Sequence, residues 1–112
     1  MDEYALIMRH EDGGKIASPE QMQAWMKQTM DWIGGIAAQN KLVDKGAPLG
    51  SEGRVVRANN VVTDGPYTEI KELIGGYIAV RAGSFDEAAE LAKGCPILNY
   101  GGNVEVRDII PM

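Results

Sequence analysis

The chain has 112 residues, 11 of them basic and 16 acidic, giving a formal net charge of −5, and 45% of it is hydrophobic. That length holds one domain with a proper core, and that composition excludes global disorder. The acidic balance argues against a nucleic-acid groove, because little here would release counterions from a phosphate backbone. The single cysteine, Cys95, makes neither an internal disulfide nor a thiolate zinc site, which fits a reducing, cytoplasmic setting. No run of about 18 apolar residues offers a membrane span, and Met1-Asp2-Glu3 lacks the basic start of a signal peptide.

Along the chain, Tyr4–Met8 is an apolar run ending at Arg9-His10, the pattern of a strand buried on both faces. Glu11 to Lys15 breaks it. Ser18-Pro19-Glu20-Gln21 then opens a helix with a capping serine, a proline at the first helical position and a capping-box glutamine. Met22, Trp25, Met26, Met30, Ile33 and Ala37 recur at helical spacing as its inward stripe, and Asn40 suits a left-handed stop. Gly34-Gly35 inside the helix is costly, which suggests a close approach there.

Leu42-Val43-Asp44 reads as a short strand stopped at Gly46-Ala47-Pro48. Val55-Val56-Arg57 and Val61-Val62-Thr63 flank Ala58-Asn59-Asn60, an inserted hairpin with an asparagine tip that tolerates positive φ. Thr63-Asp64-Gly65-Pro66 is a second turn signal, and Thr68 to Leu73 resembles one helical turn. Gly76 to Ala82 alternates Ile78 and Val80 against Tyr77, Ala79 and Arg81 as a strand. Ser84-Phe85-Asp86-Glu87 caps a second helix with Ala88, Leu91 and Ala92 inward and Gly94 at its end. Val104 to Ile109 closes the chain as a strand.

Strand, helix, strand, hairpin, strand, helix, strand makes two split βαβ units. The expected architecture is a single α+β domain over residues 1–112, a ferredoxin-like antiparallel sheet with both helices on one face. The other face needs a cover, and a second copy of the chain supplies it, so a homodimer is expected.

Thr63 to Glu72 is the densest run of functional residue types. Asp64-Gly65-Pro66 reads either as a plain turn or as a rigid elbow that aims Asp64 into a cleft beside Tyr67, Glu69 and Lys71. The run is similar to the signature of the YCII-related family, in the branch named for an Asp-Gly-Pro-Phe motif, with Tyr67 in place of phenylalanine. Lys41-Leu42-Val43-Asp44, Gly75-Gly76-Tyr77 and Gly101-Gly102-Asn103-Val104-Glu105-Val106-Arg107 match as well. This resemblance implies a ferredoxin-like fold that dimerises through its sheets, in the dimeric α/β-barrel manner. It also implies two functional classes.

One is an uncharacterised dimeric domain that binds a small ligand or a transcription-linked protein partner. The other is a small enzyme of dehydrochlorinase type, abstracting a proton from an aromatic or carboxylated substrate. In the second, Asp64 is the acid/base, His10 its partner in place of the first-helix histidine this chain lacks, and Tyr67 and Lys71 contact the substrate. Arg9, Arg81 and Arg107 either pair with Glu105 and Asp108 or, turned into a cavity, hold an anionic ligand. The tryptophans and methionines of the first helix read as core or dimer contacts, and Cys95 as structural. No ligand set for a metal and no phosphate-loop spacing is present, so neither metal nor cofactor is expected.

Overall fold

Alternation places every second residue of a strand on one face, and this chain uses that rule to build a layer of helices over one side of a sheet. The computed structural model describes residues 1–11, 19–50, 53–65 and 72–112, with the side chains of Glu11, Asp64, Glu72 and Leu73 excepted. Six strands and two helices follow in the order β1 (Asp2–Glu11), α1 (Pro19–Ala38), β2 (Leu42–Pro48), β3 (Gly53–Arg57), β4 (Val61–Gly65), β5 (Glu72–Ala82), α2 (Phe85–Ala92) and β6 (Asn103–Asp108). The main sheet has the order β2-β5-β1-β6, with every neighbouring pair antiparallel. This is the ferredoxin-like arrangement of two split βαβ units. Strands β3 and β4 form a separate two-stranded sheet inserted between β2 and β5.

Tyr4, Leu6 and Met8 of β1 and Ile78, Val80 and Ala82 of β5 point to one face, where Ile36 of α1 and Ala88 and Ala92 of α2 complete a buried core. Ala5, Ile7 and Ala79 alternate onto the opposite face and are only half-buried. The first strand is therefore closed on its helix side, not on both faces as its unbroken apolar run suggests, because none of the described residues layers over the other side.

Helix α1 is rotated from the expected stripe. Thr29 and Ile36 are buried and Trp25, Trp32 and Ile33 pack against the core, whereas Met22, Met26 and Met30 are 44%, 41% and 62% exposed. Two indoles cover more apolar area than the thioethers they displace. Thr29 tolerates burial because its hydroxyl donates to the Trp25 carbonyl oxygen at 2.8 Å, and Trp32 anchors the helix by donating from Nε1 to the Leu91 carbonyl oxygen at 2.9 Å. The helix ends where expected. Asn40 takes φ 59°, and the Lys41 N–H donates back to the Ile36 carbonyl oxygen at 3.2 Å. Among the described residues Gly34 and Gly35 are not close-approach points, since a Cβ on either meets none of them within 4 Å.

Two segments read as breaks, and the end of one read as a helical turn, are strand. Gly46-Ala47-Pro48 belongs to β2, whose register against β5 shifts between Asp44 and Ala47. Gly46 sits there at φ 59°, with its N–H donating to Asp44 Oδ1 at 2.7 Å, and a Cβ on it lands 1.7 Å from the Tyr77 carbonyl oxygen. The glycine that looked like a stop is a bulge. Thr63, Asp64 and Gly65 continue β4 by pairing with Val55, Arg54 and Gly53, so Asp64 lies in a strand and not on a turn elbow. Glu72 and Leu73 pair with Glu11 and His10 at the start of β5 and are not helical. The asparagine tip is as expected, with Asn59 and Asn60 at φ 65° and 63°.

Ser84 caps α2 by accepting from the Glu87 N–H at 3.1 Å. Glu87 returns not to Ser84 but to the Gly83 N–H, 3.0 Å from Oε2, and it pairs with Lys41 Nζ at 3.2 Å. The Gly83 N–H first, and Lys41 second, hold the Glu87 carboxyl below the usual glutamate range. A short 3-10 helix, Pro96–Tyr100, links α2 to β6 and was not evident from the sequence. The radius of gyration, 15.1 Å, exceeds the roughly 13 Å of a compact chain of this length. The molecule is a flattened body of 41 × 40 × 18 Å.

Glycine substitutions should split in sign. Gly34→Ala and Gly35→Ala should each raise unfolding stability by about 0.5–1 kcal/mol. Gly46→Ala, strained at positive φ and driven into backbone, should lower it by at least about 1 kcal/mol in urea melts. The Glu87 contribution is full above the ordinary glutamate pKa and fades as pH falls through its depressed folded value. Glu87→Gln should therefore show a smaller loss of stability than the wild type between neutral and strongly acidic pH.

Candidate functional site

Because α1 presents a wider apolar arc than the sheet covers, the space between its methionine flank and the β2–β5 side of the sheet is not filled. A cavity of about 170 Å³ opens there. Trp25, Met26, Thr29, Met30 and Ile33 of α1 form its roof, and Met8, Gly75, Tyr77 and Ile78 its floor. The β2 bulge from Lys45 to Pro48 forms the side wall. Its walls are almost wholly apolar, which is the ordinary make-up of a small-molecule pocket carrying few polar groups. Local sequence helps explain the opening: Gly46 lets β2 step sideways, and Gly75 presents bare backbone at the floor.

The polar groups around this space are few. Lys45 is exposed and borders the cavity from β2. Thr29 has its hydroxyl occupied within the helix. Tyr77, on the floor, carries a hydroxyl, and the last polar side chain is the Trp25 indole in the roof. Its Nε1 is shut away from solvent and has no hydrogen-bond partner among the described residues. A buried donor left unpaired costs about 1–3 kcal/mol, so a native fold that keeps one calls for an explanation. Trp32, two turns further along α1, has its N–H fully used.

His10 packs beside the cavity wall. It follows Met8 on the helix side of β1, and β5 carries Gly75 as an extra residue in the register between the Met8–Gly76 and Arg9–Ile74 pairs. A Cβ on Gly75 lands 2.6 Å from His10 Cδ2 and 3.0 Å from Nε2, so the imidazole lies directly on the glycine backbone. Asp64 is seen as backbone only, across from Arg54 in the hairpin. Tyr67, Glu69 and Lys71, the other members of the expected cluster, lie outside the described residues, as does the capping Ser18.

Arg9 and Arg107 do not border the cavity. Arg9 grips Glu105 Oε1 from Nη2 at 2.9 Å and from Nε at 3.2 Å, and Arg107 Nε stands 3.9 Å from Glu105 Oε2. The carboxylate between them meets the pairing alternative for these arginines, a half-exposed contact contributing up to about 1 kcal/mol. Cys95 is buried, and burial pushes its thiol up, which makes it a poor nucleophile. Among the described residues no group of three metal-ligating side chains converges, and no helix is long and apolar enough to cross a membrane. Nothing in the residue pattern marks the cavity itself, although Met26 and Met30, which line it, belong to the apolar stripe of α1.

No curated protein sequence matches the chain. A model of the YCII-related domain matches residues 3–112, so the chain belongs to the YCII-related family.

Proposed function

We propose that this YCII-related domain binds a small, ring-sized organic molecule in the cavity between α1 and the β2–β5 side of the sheet. The observation that carries the reading is the cavity, about 170 Å³ and apolar, with the exposed Met26 and Met30 in its lining. An engineered protein cavity of about 150 Å³ with similar walls takes up benzene, so the size suits one aromatic ring. A concave, ring-sized space favours a small-molecule ligand over the transcription-linked protein partner, which would need an extended surface. Proton transfer to such a ligand is a second reading. It is favoured by His10, whose imidazole lies against Gly75 of the cavity floor. Asp64 would serve that reaction as acid/base only if its side chain reaches the same space.

The binding unit in this reading is a homodimer. Its support is the outer face of the sheet, where Ala5, Ile7 and Ala79 are half-buried, and the hairpin, where the paired Val56 and Val62 are 68% and 59% exposed. Burial of such surface is the usual driving force for association.

Titrating toluene into the ¹⁵N-labelled protein should shift the backbone amides of Gly75, Ile78 and Thr29 in a saturable way. Ala47→Phe, which fills the side wall, should weaken that binding at least about tenfold while leaving the far-strand signals in place. Saturable shifts elsewhere, or none, would remove the proposal. Light scattering on the eluted protein should return twice 12.1 kDa, and a clean monomer would remove the dimer.

A further inference from the structure

The main sheet ends in two outer strands, and the chain treats them differently. In β2 a bulge at Gly46 and a proline at position 48 interrupt any regular pairing along the free side. At the opposite end, β6 contains neither proline nor glycine and runs in unbroken register along β1. Among the described residues nothing pairs with its other side.

The pairing with β1 decides which backbone groups of β6 are open. The Ile109 N–H donates to the Glu3 carbonyl oxygen at 2.9 Å, and in an antiparallel ladder such bonds recur at every second residue. Asn103, Glu105 and Arg107 therefore direct their backbone groups to Arg9, Ile7 and Ala5. Val104, Val106 and Asp108 turn theirs to the open edge. Val104 and Val106 also pack against the core on the helix side, yet stay half-buried. Glu105 and Arg107 alternate onto the outer face, where their own contact is loose, 3.9 Å, and the Arg107 side chain is 67% exposed.

These side chains select the strand that fits. A second β6 joined antiparallel and centred on Val106 brings Val104, Val106 and Asp108 of both copies into hydrogen-bonding positions. It opposes Val106 to its counterpart and Glu105 to the other copy's Arg107, in both directions. That charged pair falls at a position without backbone bonds, where opposing Cα atoms come closest, about 4.5 Å apart. Moving the centre by one residue sets two glutamates or two arginines opposite each other, which is unfavourable.

We propose that the open edge of β6 is a self-recognition surface, which takes a second copy of the chain antiparallel about Val106 and pairs Glu105 with Arg107 across the joint. The product is one continuous sheet that begins and ends with a blunted β2, so the association closes after a single joint. It is separate from the outer-face contact of the proposed homodimer and doubles whichever unit is present. A strip of this kind is small, so it forms at high concentration and not in a dilute eluate.

Sedimentation of the wild type should show the mass doubling between about 10 µM and about 1 mM. Over the same range, amide exchange should slow at Val104, Val106 and Asp108 and change little at Glu105 and Arg107, which are bonded already. Val106→Pro removes an outward N–H without touching the β1 ladder and should hold the protein at its dilute mass. Arg107→Glu sets like charges across the joint and should weaken it at least about fivefold, and adding Glu105→Arg should recover it. A mass that stays constant over this range overturns the proposal. A doubling whose slowed amides lie elsewhere overturns the β6 joint and leaves the outer-face dimer standing. If the dilute unit is a monomer, the homodimer reading falls while the doubling still decides this one. Exchange in the wild type decides the matter even if Val106→Pro fails to fold.

Discussion

Everything in this molecule depends on one apolar contact, the inner face of β1 and β5 against the buried side of α1 and α2. Leu6, Ile78 and Val80 are completely enclosed there, with Ile36, Ala88 and Ala92 pressed onto them. Small residues on α2 allow it to lie close to the sheet, and the Trp32 bond to the Leu91 carbonyl holds the two helices together. Burial of each large aliphatic side chain in such a layer is worth about 1.5–3 kcal/mol.

That contact also creates the cavity. A 20-residue helix carries more apolar surface than four strands can cover, and the two indoles take the covered share. Met26 and Met30 are left at the margin, over a floor that includes Gly75. A pocket of this kind needs no specialised loop. It is the remainder left when a wide hydrophobic arc meets a sheet whose edge strand steps aside at a bulge.

Much of this was legible in the residues. Alternation of Ile78 and Val80 against Arg81, the Ser84 cap, and paired asparagines at the hairpin tip each rest on chemistry within a few positions, and each has the form expected. Three parts were not legible, and for physical reasons. Gly46-Ala47-Pro48 carries the same local signal whether it ends a strand or bulges it, and only pairing with β5 decides. The same holds for Asp64, whose turn-like neighbours were outweighed by pairing with the opposite strand. The rotation of α1 depended on which of several apolar residues won the sheet, a competition between indoles and thioethers that spacing does not resolve. The site was less legible than the fold. The His10 ring resting on Gly75 depends on an extra residue in a register far along the chain, and the unpaired indole exists only once the helix has been placed.

The bulge on β2 reaches beyond the pocket wall. That strand is an outer margin of the main sheet, and an outer margin with regular, unpaired amides is where foreign strands add on and fibres begin. Here the regularity is broken: Gly46 turns its amide inward to Asp44, and Pro48 has no N–H to offer. Copies of the chain are thereby discouraged from joining side by side along β2 into an endless ribbon, so the residue that makes room for a guest also helps keep the protein from polymerising.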